Sequence, residues 1–171
     1  GQQVYRWVAE RFGRCILELG GNNASVITAS ANIDLAISAV FFAAVGTAGQ
    51  RCTTTRRLLI AEDVFLEVTE KLMNKYGQIK VGDPFDAENH LGPVIDQATM
   101  EYYPQLLSKI QQAGGRILAG GEVYKRKGYY LSPAIVELDF QHPLLQEEHF
   151  LPALFISSYT SLKEAIALHN Q

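Results

Sequence analysis

The chain has 171 residues, 47% of them hydrophobic and 19% charged, a composition in the ordinary globular range with enough apolar material for one sizeable core. A formal charge of −3 at pH 7 without an extended basic tract argues against a nucleic-acid surface, because phosphate binding needs clustered Lys and Arg; the pair Arg56-Arg57 is too short to serve. No apolar run reaches the roughly 18 residues of a membrane span, and the polar, basic first residues do not read as a signal peptide. With only two cysteines, Cys15 and Cys52, a disulfide framework is excluded and a reducing, cytoplasmic setting is expected.

In chain order, Val4, Trp7, Val8 and Phe12 share one helical face that Gly13 ends, and Cys15 to Leu19 reads as a strand. Gly20-Gly21-Asn22-Asn23 turns the chain into a second strand, Ala24 to Thr28, and Asp34 is expected to cap an apolar helix from Leu35 to about Val45. A small-residue loop, Gly46 through Cys52 to Thr55, leads into a strand over Arg57 to Ala61. Asp63 to Tyr76 is an amphipathic helix with Phe65, Val68, Leu72 and Met73 on one side, and a loop containing Gly82-Asp83-Pro84 runs to about Ile95. Helical spacing resumes from Gln97 to Ala113, where Pro104 should kink or divide the helix. Strands follow at Arg116 to Ala119, Ala134 to Leu138 and Pro152 to Ser157, the last two separated by a polar stretch. A helix from Ser161 reaches the last residue without a stop signal, and no initiating Met is present, so the chain is expected to be cut from something longer. Strands alternating with helices predict one α/β domain over residues 1–171, a layered, mostly parallel sheet with flanking helices, because parallel neighbours need a crossover.

Cys52 is the first chemical candidate. A thiol in a Gly/Ala/Thr loop after a helix is sterically open and has free backbone N–H groups near it, a setting that favours the thiolate. The competing reading is a small buried hydrophobe. Glu18 is the second, since it interrupts the apolar run Ile16-Leu17-Glu18-Leu19 just before a double glycine. A carboxylate so flanked either faces a cavity or is a raised-pKa base; the alternative is an outward residue of a half-exposed strand. His90, His142, His149 and His169 show no metal-ligand spacing with the cysteines, so no metal is expected. Glu147-Glu148 alone reads as a solvated acidic pair, and no phosphate-binding glycine motif or serine nucleophile elbow is present.

Taken in order, Leu17-Glu18-Leu19-Gly20-Gly21, Gly49-Gln50-Arg51-Cys52 and Glu147-Glu148-His149-Phe150-Leu151-Pro152 resemble the signatures of the aldehyde dehydrogenase superfamily, with Gly82-Asp83-Pro84 and Leu91-Gly92-Pro93 as landmarks between them. Asn22-Asn23 after the double glycine and the run Ala43 to Arg57 look like the antiquitin-like branch, which oxidises α-aminoadipic semialdehyde. The resemblance implies a catalytic-domain fragment in which Cys52 attacks the aldehyde and the resulting thiohemiacetal is oxidised to a thioester with NAD, NADP being open. Glu18 would activate the hydrolytic water, a base contribution of about 10²–10⁴-fold, and its presence separates this chain from acylating relatives that transfer to coenzyme A or phosphate. The Leu19 backbone, Glu148 and Phe150 would hold the nicotinamide half of the cofactor. Arg51 would pair with a substrate carboxylate, with a structural ion pair as the alternative. Leu151 departs from the Gly or Ala usual before that proline, which puts the shape of the nicotinamide pocket in question.

The same resemblance places the dinucleotide-binding domain and an oxyanion-hole Asn mainly upstream, and the oligomerisation strands outside the chain. The isolated polypeptide is therefore expected to bind NAD poorly and turn over little aldehyde, while the whole protein is expected to be a homo-oligomer acting on a small aldehyde, without nucleic-acid or membrane partners. Another semialdehyde substrate and a non-catalytic structural relative stand as alternatives.

Overall fold

A computed structural model describes residues 1–170. Its centre is a five-stranded sheet in the order β1-β2-β5-β4-β3, made by β1 (Asn23–Ile27), β2 (Thr55–Ala61), β3 (Arg116–Ala119), β4 (Ala134–Glu137) and β5 (Ala153–Tyr159). β1, β2, β5 and β4 are parallel neighbours, with Leu59 opposite both Val26 and Ser157. Every residue of β2 is buried, which suits a central strand covered on both faces and explains its unalternated Leu58-Leu59-Ile60 core.

β3 joins β4 antiparallel, the reversed neighbour in a sheet expected to be mostly parallel. The connection between them contains no crossover helix, only an excursion narrowed by the antiparallel bridge Val123↔Leu131, and an antiparallel return needs none. The sheet is mostly parallel, as expected, with this one reversed edge.

Among the described residues there are five α-helices: α1 (Gln2–Glu10), α2 (Ile33–Val45), α3 (Phe65–Tyr76), α4 (Gln97–Gln112) and α5 (Leu162–His169). α2 and α3 pack on each other and on β2, α4 lies against β3, and α5 against β5. Asn32, not Asp34, caps α2: its side chain accepts the Leu35 N–H at 3.1 Å, while Asp34 sits in the first turn and pairs with Lys71 of α3 at 2.7 Å. α4 is not divided at Pro104. Asp96 caps it by accepting from Thr99, and buried Tyr103, Leu106, Leu107 and Ile110 hold the turns on either side of the proline, whose ring faces out.

The predicted strand from Cys15 to Leu19 does not form. The segment is irregular and exposed, Ile16 at 91%, because a strand needs a ladder and none runs beside it. α1 follows its apolar periodicity but ends at Glu10 with no residue buried, and Phe12 lies beyond it with φ 52°. Periodicity set the helix there without tertiary burial. Among the described residues no helix is long and apolar enough to cross a membrane.

Candidate active site

The Cys52 loop begins where α2 stops. Thr47, Ala48 and Gly49 take left-handed backbone conformations in succession (φ 55°, 54° and 71°), turning the chain sharply under the Glu147–Pro152 segment. Only glycine suits the third of these, because a Cβ at Gly49 would stand 2.2 Å from the Leu151 carbonyl oxygen. A tight turn follows, in which Thr54 N–H donates to Arg51 O and the Thr54 hydroxyl accepts from Arg51 N–H, each at 3.1 Å. Cys52 is at its tip, exposed and with a free thiol; Cys15 is free and half-buried.

The Gly20-Gly21 segment lies directly beside this turn. A Cβ at Gly21 would meet the Cys52 carbonyl at 3.0 Å, and Asn23 at the start of β1 donates from Nδ2 to Cys52 O at 2.5 Å and to Thr54 O at 3.1 Å. The segment carrying Glu18 and Leu19 is thus brought to the Cys52 loop. Glu18 and Leu19 are both exposed, so Glu18 is not the carboxylate enclosed among apolar neighbours that its flanking residues suggested. Arg51 is likewise exposed and forms no ion pair among the described residues.

Glu148 and Phe150 complete the group from the other side. Glu148 is no solvated acidic side chain: Oε1 pairs with Arg56 Nη2 at 2.9 Å, and Oε2 occupies the space a Gly20 side chain would need. Phe150 adopts φ 51° and lies over the Arg56 guanidinium, 5.3 Å from ring centre to carbon. It also walls a cavity of about 490 Å³ with Thr47, Ala48, Gln50, Pro93 and Ile95, where Gln50 Oε1 accepts from Ile95 N–H at 3.0 Å. Leu151, the departure noted in the sequence, is buried at 2% exposure and so fills the core.

Two residues central to this arrangement were missed as site residues. Arg56 and Arg57 are not a surface basic pair; both are buried in β2. Arg57 donates twice to Asn22 O, at 3.0 and 2.7 Å, fixing the turn after the double glycine. Arg56 donates to Gly21 O at 2.8 Å, Thr54 O at 3.1 Å and Arg51 O at 2.7 Å besides holding Glu148. Burial pulls both guanidinium groups below their ordinary range, and for Arg56 the Glu148 and Cys52 charges oppose that. The signal lay in the sequence as two charges at the start of an apolar strand, where burial demands partners. Asn23 had no such mark.

His149 fixes the acidic segment from behind. Its Nε2–H donates to Leu144 O at 2.7 Å, and Nδ1 shares a hydrogen bond of 3.0 Å with the Tyr102 hydroxyl; burial lowers its pKa.

Residues 1–171 match the model of the aldehyde dehydrogenase family along their whole length. The chain belongs to that family. It is 45% identical over 170 residues to aldehyde dehydrogenase family 7 member A1 of Malus domestica, covering 99% of this chain and 34% of that protein. It is 39% identical over 172 residues to the α-aminoadipic semialdehyde dehydrogenase of Rattus norvegicus, covering 100% and 32%. Among solved structures, betaine aldehyde dehydrogenase from Staphylococcus aureus in complex with NAD+ superposes with a TM-score of 0.93 at 26% identity, over 99% of this chain and 35% of that one. The chain spans about a third of the length of these aldehyde dehydrogenases.

Proposed function

We propose that the protein carrying this chain oxidises an aldehyde to a carboxylic acid with NAD(P), and that residues 1–171 are its nucleophile-bearing catalytic domain. The observation that carries the reading is the meeting of three segments: the Cys52 turn, the Gly20-Gly21 segment that follows Glu18, and the Glu148–Phe150 segment beside the cavity.

Cys52 at an exposed turn tip is free to attack. Its sulfur bonds to the aldehyde carbon and the carbonyl oxygen becomes the alkoxide of a thiohemiacetal. The nicotinamide, when bound, accepts the hydride from that carbon, leaving a thioester on Cys52. Glu18 takes a proton from water, the hydroxide adds to the thioester carbon, and the carbon–sulfur bond breaks to give the acid and free Cys52. One aldehyde, one NAD(P)+ and one water thus give one acid, one NAD(P)H and one proton. Glu148 and Phe150 fit the cofactor's nicotinamide half: an anchored carboxylate suits ribose hydroxyls, and an aromatic ring at the cavity wall suits a flat cation. The Leu19 backbone lies in the segment of Glu18 and Gly20, which meets Glu148 at Gly20, and is assigned a contact to the nicotinamide amide.

α-Aminoadipic semialdehyde is the proposed substrate, supported by the relatives that bear its name at 38 to 40% identity. Exposed, unpaired Arg51, next to Cys52, is the proposed reader of its carboxylate. Free cysteines suit a reducing compartment, and a homo-oligomer is proposed for the whole protein. The test is NAD(P)H formation by that protein with α-aminoadipic semialdehyde, betaine aldehyde and a neutral aliphatic aldehyde. Preference for the first supports both reaction and substrate. Preference for another discards the substrate alone, and inertness toward all discards the enzyme.

A further inference from the structure

Arg56 is 3% exposed and carries a full charge, yet the peptide carbonyls it binds flank Cys52 on both sides, Arg51 O at 2.7 Å and Thr54 O at 3.1 Å. Among the described residues its one carboxylate partner is Glu148, at 2.9 Å with 26% of that side chain exposed, and its buried Nε has no hydrogen-bond partner. Such a cation is only partly neutralised, and carbonyl dipoles are weaker compensation than a second carboxylate.

We propose that Arg56 and Glu148 act as an opposed pair of positioning charges that sets the reactivity of Cys52 toward electrophiles, Arg56 raising it and Glu148 holding it down. The guanidinium is tied to the backbone on both sides of Cys52, which fixes the cation against the turn that carries the thiol. The Cys52 charge in turn helps keep Arg56 protonated against its burial. Glu148 approaches from the opposite segment and subtracts from the positive potential at the sulfur. Its place is guaranteed by Gly20, which leaves the room its carboxylate fills. This deepens the reading of Cys52 as a thiolate nucleophile and rests on it.

The test needs neither aldehyde nor cofactor. Iodoacetamide, a neutral probe, is applied to the whole protein near neutral pH, and the rates at Cys52 and Cys15 are followed separately by peptide mass spectrometry. Glu148→Gln should quicken alkylation of Cys52 about threefold or more, Arg56→Met should slow it by at least as much, and Arg56→Lys should recover part of the rate. Cys15 serves as the internal clock. Loosening of the loop alone would quicken Cys52 in both Glu148→Gln and Arg56→Met, so rates moving in the same direction overturn the proposal, as does an unchanged rate in Glu148→Gln. Should Arg56→Met fail to fold, Glu148→Gln decides, since it keeps the side-chain shape. A wild-type Cys52 no faster than Cys15 would count against the poised nucleophile itself, a separate outcome from the sign of the Glu148 effect.

Discussion

The Glu148 carboxylate fills the space that a side chain on Gly20 would need: a Cβ built on Gly20 would lie 1.7 Å from Oε2. The contact joins the segment after Glu18 to the segment assigned to the cofactor, and explains why a side chain is excluded at that glycine. The displaced group in Gly20→Ala is the end of a flexible side chain, so unfolding free energy should change by less than about 1 kcal/mol. The carboxylate must leave its place, however, and KM for NAD(P) should rise roughly tenfold, the size of one lost charge-assisted hydrogen bond. Steady-state kinetics beside denaturant unfolding separates the two effects.

Gly49 is the opposite case. Its φ is +71° and the obstructing atoms belong to the Leu151 and Pro152 backbone, which cannot rotate away. Gly49→Ala should destabilise by about 3 kcal/mol and open the Cys52 loop, seen as a lower urea midpoint with an unchanged slope.

His149 makes stability depend on pH. Burial lowers its folded pKa below the ordinary 6.5, so the unfolded chain binds the proton more readily. The contribution is fully present above that ordinary value and is lost as pH falls through the depressed one. Urea unfolding at several pH values from neutral downward should show stability falling on acidification, and the fall should be shallower in His149→Gln. Equal slopes in both would remove His149 as the cause.

Pro104 interrupts the hydrogen bonding of α4 at an exposed position. Pro104→Ala should stabilise the protein by about 1–2 kcal/mol, less than the full helix-interior effect because the unfolded chain gains freedom. Thermal unfolding checks it.

What could be read from the residues alone divides along physical lines. Local periodicity and turn chemistry place α2, α3, α4 and the strands within a few residues, because Gly114-Gly115 or an apolar run such as Leu58-Leu59-Ile60 acts over short distances. Pairing is non-local, so neither the antiparallel edge of β3 nor the missing ladder beside Ile16-Leu17 is written in those segments. Motif resemblance singled out Cys52 and Glu148 as candidates. Their coupling through Arg56 was not legible there, since it depends on β2 delivering a buried charge between segments more than thirty residues apart on one side and ninety on the other.

If Cys52 carries the acyl group and Glu18 removes it, as proposed, the mass of the protein during turnover shows it most directly. Glu18→Gln, given NAD(P)+ and α-aminoadipic semialdehyde, should release one burst of NAD(P)H and accumulate an acyl adduct on the peptide containing Cys52, while Cys52→Ser gives neither burst nor adduct. Unimpaired steady turnover in Glu18→Gln, or an adduct on Cys15 in place of Cys52, would contradict the account.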